Sequence, residues 1–129
     1  VNESERVTLG IRVKVRTTFD AARSDPRQSR WFFAYTIRIE NEGPKAVQLL
    51  NRFWVITDAR GRTEQVRGPG VVGEQPVIAP GNAFEYTSGC PLSTPFGSMH
   101  GTYEMTDEHG EHFEVEIPAF ALRVPGTMN

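Results

Sequence analysis

Residues 11–19 read Ile-Arg-Val-Lys-Val-Arg-Thr-Thr-Phe. Ile11, Val13, Val15, Thr17 and Phe19 alternate with Arg12, Lys14 and Arg16. A period of two sends successive side chains to opposite faces of a strand, so this stretch predicts a half-buried β-strand with a solvated basic face. The same period returns outward along the chain. In Trp31–Asn41, Phe33, Tyr35, Ile37 and Ile39 share one face and Arg38 and Glu40 the other. In Val47–Asp58, Trp54 and Ile56 oppose Phe53 and Val55. Alternation continues through Phe84, Tyr86 and Ser88, through Met99, Gly101, Tyr103 and Met105, and through Phe113, Val115 and Ile117, the last run ending near Pro118.

The segments between these runs carry turn chemistry. Asn41-Glu42-Gly43-Pro44 is a turn, 58–61 closes a hairpin, and 107–111 closes another around Gly110. Residues 20–30, with Pro26 inside, read as a mobile irregular loop, and 91–95 as a second loop. Residues 62–67 are polar enough for an edge strand. No window has a helical period. About seven to eight short strands at regular spacing predict an all-β sandwich or barrel. The expected fold is a fibronectin type III / immunoglobulin-like sandwich of antiparallel strands in two sheets, which in its fibronectin form needs no Cys…Trp…Cys frame. Trp31, Phe33, Tyr35, Trp54, Phe84 and Tyr86 are the aromatics expected to fill its core. Glu114 and Glu116 could offset the charge of the Arg12, Lys14 and Arg16 stripe from a neighbouring strand.

A chain of 129 residues is read as a single domain, 1–129, able to bury a core without disulfides or metal. A formal charge of -2 argues against nucleic acid as the partner. Cys90 is the only cysteine, which excludes an internal disulfide and fits a reducing compartment. No apolar run approaches the ~20 residues of a membrane-spanning helix. Residues 1–10 include Glu3, Ser4, Glu5 and Arg6 and no apolar centre, so no secretory signal is expected. The expectation is a cytoplasmic protein, monomeric or weakly dimeric.

Several stretches together carry a family resemblance. They are Gly68-Pro69-Gly70-Val71-Val72-Gly73-Glu74-Gln75-Pro76, the Pro80-Gly81 turn with Phe84, Tyr86, Thr87, Ser88 and Gly89, and the Leu92 to Tyr103 region with Thr94, Pro95, Gly97, Met99 and Gly101. The Leu49-Leu50-Asn51-Arg52-Phe53-Trp54 run and the Trp31–Asn41 strand belong to the same likeness. The chain resembles the ApaG family over nearly its whole length. That resemblance implies a fibronectin type III-like sandwich with no established reaction. It also implies an association with cobalt and magnesium homeostasis and proximity to diadenosine tetraphosphate metabolism. Related domains within larger eukaryotic proteins look like interaction modules.

Three sets of residues are candidate sites. Gly68, Gly70 and Gly73 form a G-x-G-x-x-G pattern with Val71 and Val72 inside it and Arg67 before it. In a dinucleotide fold this pattern opens a helix whose N-terminus holds a pyrophosphate. Here Pro76 and Pro80 follow, and the acidic residue expected about 20 positions on is missing. The pattern therefore reads as a loop at the end of the sandwich, available for a protein contact or for anion binding through its amides. Asp107, His109, Glu111 and His112 bring carboxylate and imidazole to one turn, the donors of a weak divalent-cation site or simply a solvated hairpin. Cys90 with His100 as base is the one nucleophile–base pair, and no orienting third group accompanies it. The function expected is a non-enzymatic interaction module with an unidentified protein partner. The alternative is a binder of a pyrophosphate-containing nucleotide or a divalent cation. No resident cofactor is expected beyond that possible cation.

Overall fold

A computed structural model describes residues 2–126. One antiparallel sheet contains β1 (Asn2–Thr8), β2 (Ile11–Phe19), β3 (Trp31–Asn41) and β7 (Ala83–Leu92), in the order β1-β2-β3-β7. The other runs β5 (Thr63–Pro69), β4 (Val47–Asp58), β8 (Phe96–Asp107) and β9 (His112–Arg123), in the order β5-β4-β8-β9. The short β6 (Val77–Ile78) also pairs with β4. The fold is an all-β sandwich, as the alternation predicts, and fibronectin type III-like, as the family resemblance implies.

The differences from expectation have local causes. Nine strands form among the described residues rather than seven or eight. β1 is polar, Asn-Glu-Ser-Glu-Arg-Val-Thr, and forms through backbone pairing with β2, Val7 opposite Arg12 and Glu3 opposite Arg16. Pro91 and Pro118 were expected outside strands, yet β7 and β9 run through them. Both strands lie at sheet edges, where a residue without an N–H breaks no ladder. Residues 20–30 are not irregular but fold into two single 3₁₀ turns, Ala21–Arg23 and Pro26–Gln28. Ser24 Oγ fixes their exit by accepting the Phe32 N–H at 2.8 Å.

Ile11, Val13 and Val15 of β2 and Phe33, Ile37 and Ile39 of β3 are all essentially inaccessible. They face Leu49, Trp54, Tyr103, Val115 and Leu122 of the second sheet, equally buried. Trp54 meets Tyr35 at 5.6 Å and Phe120 at 5.9 Å between ring centroids. Trp31 and Phe84 pack against the rim of this core and are only partly covered, a correction to the six-aromatic core expected from sequence. Along one side the sandwich is stitched shut, with Ser4 Oγ donating to the Ala119 carbonyl at 3.1 Å and Thr17 Oγ1 to that of Ala121 at 3.3 Å. On the opposite side β5 and β7 are free edges, and the interior there is bridged by a hydrogen bond between the Tyr86 and Tyr103 hydroxyls.

Two members of the basic stripe, Arg12 and Lys14, are paired by acidic residues of β1, β3 and the turn after β3, not by Glu114 and Glu116. Arg12 contacts Glu5 and Glu42, and Lys14 Nζ lies 3.3 Å from Glu40. Arg38 Nε donates to the same Glu40 at 2.8 Å, and Arg38 is the main cause of a Glu40 carboxyl held below its ordinary range. These pairs are solvent-exposed, so they set register more than stability.

Candidate functional site

A register shift in β4 prepares the site. The pairing with β8 slips between Leu49 and Asn51, leaving Leu50 as a bulge. Bulges invert the alternation of a strand. Leu49 and Trp54 are therefore both buried, while Asn51 and Phe53 face outward. The Leu50 carbonyl, released from the ladder, accepts the Gly70 N–H at 2.8 Å and Gln75 Nε2 at 2.9 Å. The glycine-rich segment is thereby docked on the bulge.

Arg52 supplies the second clamp. Its Nη1 donates to the carbonyls of Pro69 and Gly70, both at 2.9 Å. The guanidinium lies so close over Gly68 that a Cβ there would sit 2.9 Å from Nη2. At Gly70, φ is +61° and a Cβ would approach the Glu74 carbonyl oxygen to 2.2 Å. Gly70 is required by backbone packing and Gly68 is crowded by the Arg52 side chain, in neither case through a phosphate. Among the described residues no helix follows the motif.

Beyond Gly70 the chain reverses tightly. Val71 is buried at 1% exposure and anchors the reversal. Its N–H donates to the Glu74 carbonyl at 2.8 Å and the return bond measures 2.9 Å. The central residues, Val72 and Gly73, have φ of +43° and +82°. Positive φ at both positions is the type I′ pattern, for which Asn-Gly is the favoured pair. A β-branched residue in the left-handed region is strained, at a cost of about 1–3 kcal/mol. Val72 nevertheless stands at the tip with 54% of its surface exposed. The sequence pattern located this loop, and only the backbone reveals the strain in it.

Three of the amides that an anion would need are already engaged. The N–H groups of Gly70, Val71 and Glu74 bond to backbone carbonyls. Arg67 turns away onto the outer face of the second sheet, its guanidinium carbon 4.1 Å from the Phe53 ring centroid. There it forms one wall of a groove of about 730 Å³ that runs from β5 across to β9. Glu104, Thr102 and Asn51 lie in the groove, with His112 and Glu114 on the far wall. Glu104 accepts from Asn51 Nδ2 and pairs with His112 Nδ1 at 2.9 Å. Those contacts, His112 first, hold its carboxyl below the ordinary value of 4.5. Sequence reading missed this groove, because Asn51, Arg67, Thr102 and Glu104 come from three strands and only register brings them together.

The four metal candidates are not brought together. Asp107 Oδ1 accepts the N–H groups of His109 at 2.8 Å and Glu111 at 3.1 Å. The same turn is built at the other end of the molecule, where Asp58 Oδ1 accepts from Arg60 at 2.8 Å and Arg62 at 3.0 Å. Asp-x-x-Gly is thus a hairpin unit used twice, with Gly61 at φ +82° and Gly110 at φ +80°. His112 is drawn off to Glu104. Among the described residues no three His, Cys, Asp or Glu side chains gather as metal ligands. Cys90 is equally separated from its proposed base. It sits in the core at 2% exposure, where burial pushes its thiol up to about 12, while His100 is exposed on the second sheet. No helix among the described residues is long and apolar enough to cross a membrane.

Comparison with known proteins gives a consistent result. The model of the ApaG domain family matches residues 21–107. Protein ApaG of Rhodospirillum centenum is 59% identical over 119 residues, 92% of each chain. Protein ApaG of Mesorhizobium japonicum is 54% identical over 121 residues, 94% of this chain and 93% of that one. A crystal structure of an ApaA protein from Bordetella pertussis is similar with a TM-score of 0.88 at 50% identity, covering 91% of this chain and 95% of that chain. The C-terminal domain of Wzt shares the fold alone, with a TM-score of 0.56 at 9% identity over 98% of this chain and 80% of that chain.

Proposed function

The chain belongs to the ApaG domain family, and we propose that it is a non-enzymatic protein-binding module whose contact point is the hairpin at 70–74. The observation that carries this reading is Val72. A strained, β-branched, half-exposed residue is held at a tip that Arg52, Leu50 and buried Val71 fix from behind. Local strain persists where the surrounding structure over-determines it, and it clusters at binding and switch sites. An apolar side chain on a rigid loop also loses little entropy when a partner covers it. We place the module in the cytoplasm. The association with cobalt and magnesium homeostasis suggested by the family resemblance would then act through the partner, since His109, His112, Asp107 and Glu111 are directed to other contacts or to solvent.

Affinity capture from the native cytoplasm with wild type and Val72→Asp tests the reading. Asp tolerates the left-handed conformation, so the variant keeps the turn and changes only the tip. A partner retained by wild type and lost by Val72→Asp is the expected outcome. Recovery of the same partners in the same yield by both proteins would end the assignment.

A further inference from the structure

The two walls of the outer groove differ in sign. Arg67 is exposed, and its guanidinium is stacked on Phe53 with its N–H edges open. On the other wall Glu114 lies directly opposite Glu104 in the β8–β9 register. Like charges placed so are mutually unfavourable. Glu104 is compensated by His112 and Asn51, whereas among the described residues Glu114 has no side-chain partner. A cation arriving at Glu114 relieves that repulsion, and a carboxylate arriving at Arg67 finds a planar donor fork.

The register gives the spacing between the two. Phe53 pairs with Arg67 and Thr102, while Asn51 pairs with Glu104, which pairs with Glu114. The guanidinium therefore lies two strand spacings sideways and two residues along from Glu114, a diagonal of roughly 12 Å. An extended chain covers about 13 Å between residues i and i+4, and residues i, i+2 and i+4 project to one side. Position i+2 then falls over Thr102 and the Glu104–His112 pair, where a short hydrogen-bonding side chain is satisfied. We infer that this groove takes an extended segment of the protein partner that carries an acidic residue, a short polar residue and a basic residue at i, i+2 and i+4, in either chain direction. The inference rests on the reading of the domain as a protein-binding module and adds the chemistry of what it binds.

The test is an NMR titration of ¹⁵N-labelled protein with the capped peptide acetyl-Gly-Glu-Ala-Ser-Ala-Lys-Gly-amide. Saturable shifts are expected at the amides of Phe53, Arg67, Thr102 and Glu114. Versions with Glu at both charged positions, or Lys at both, are expected to bind roughly fivefold more weakly, the upper end for one exposed ion pair. Arg67→Glu weakens the parent peptide by a similar factor, and the Arg67→Glu/Glu114→Arg double reversal restores it, because the peptide can bind with its direction inverted. Both positions are exposed, so the variants keep the fold, which their own spectra verify. No saturable shift, equal binding of all three peptides, or no recovery in the double reversal overturns the inference. If Val72→Asp loses the captured partner while the peptide fails, the groove inference falls and the hairpin reading stands. If the peptide binds as expected while Val72→Asp captures normally, the hairpin reading falls instead.

Discussion

The hairpin at 107–111 and the hairpin at 70–74 are both tight reversals closed by backbone hydrogen bonds, and they treat their central residues in opposite ways. At 107–111 the Asp107 carboxylate satisfies two backbone donors, and glycine takes the left-handed position. Its twin at 58–62 repeats the arrangement residue for residue. At 70–74 a valine takes a left-handed position where Asn would relax the turn, and its side chain faces solvent. The lesson is that the crowd of polar, ligand-like groups is architecture. The apolar tip, which has no chemistry of its own, is the feature that architecture leaves unexplained.

The largest expected contrast comes from the glycines. Gly70→Ala drives a methyl group against the Glu74 carbonyl and is expected to cost about 3 kcal/mol in urea unfolding. Gly110→Ala meets open space and bears only the left-handed φ, about 1 kcal/mol. Equal losses would break the distinction between a docked hairpin and a free one. Next in size, Val72→Asn is expected to raise stability by about 1 kcal/mol through relief of strain. A fall in stability would show that Val72 packs in the free protein.

Acid should separate the two hairpins as well. Burial opposes ionisation of Asp107, but the backbone donors of Glu111 and His109 overcome it and hold the carboxyl below its ordinary 3.8. A depressed carboxylate contributes stability that is complete above the unfolded value and lost as pH falls through the folded one. Loss of amide protection at His109 and Glu111, measured against the intrinsic exchange rate at each pH, is therefore expected below about pH 3.8, with Val71 and Glu74 unaffected by this group. Parallel changes in both hairpins would contradict the separate roles. The smallest effect is expected from His109→Ala, within ±0.5 kcal/mol as for other exposed substitutions. Calorimetric titration of wild type with Co²⁺ is expected to be flat, and saturable heat abolished by His109→Ala would reinstate the metal reading.

Much of the fold could be read in the residues. Alternation located β2, β3 and β4 to the residue, because each has one face in the core. It failed where burial does not impose alternation. β1 is a polar edge, and β6 is two residues long. Pro91 and Pro118 obscured strand continuity because a proline signals a break unless the strand is known to be an edge. The candidate site was legible only as a place. Gly68, Gly70 and Gly73 mark the loop in any reading, but the sign of φ at Val72 and the direction taken by Arg67 depend on a bulge at Leu50 and on a clamp by Arg52, both consequences of strand pairing. The groove needed the register of four strands and had no linear signal at all.

The most direct measurement pairs stability with binding in one variant, Val72→Asn, by urea unfolding and affinity capture side by side. A functional tip held under strain requires a protein that is more stable than wild type and no longer retains its partner. A variant that is more stable and captures the partner undiminished would contradict it, leaving Val72 as strain without a use.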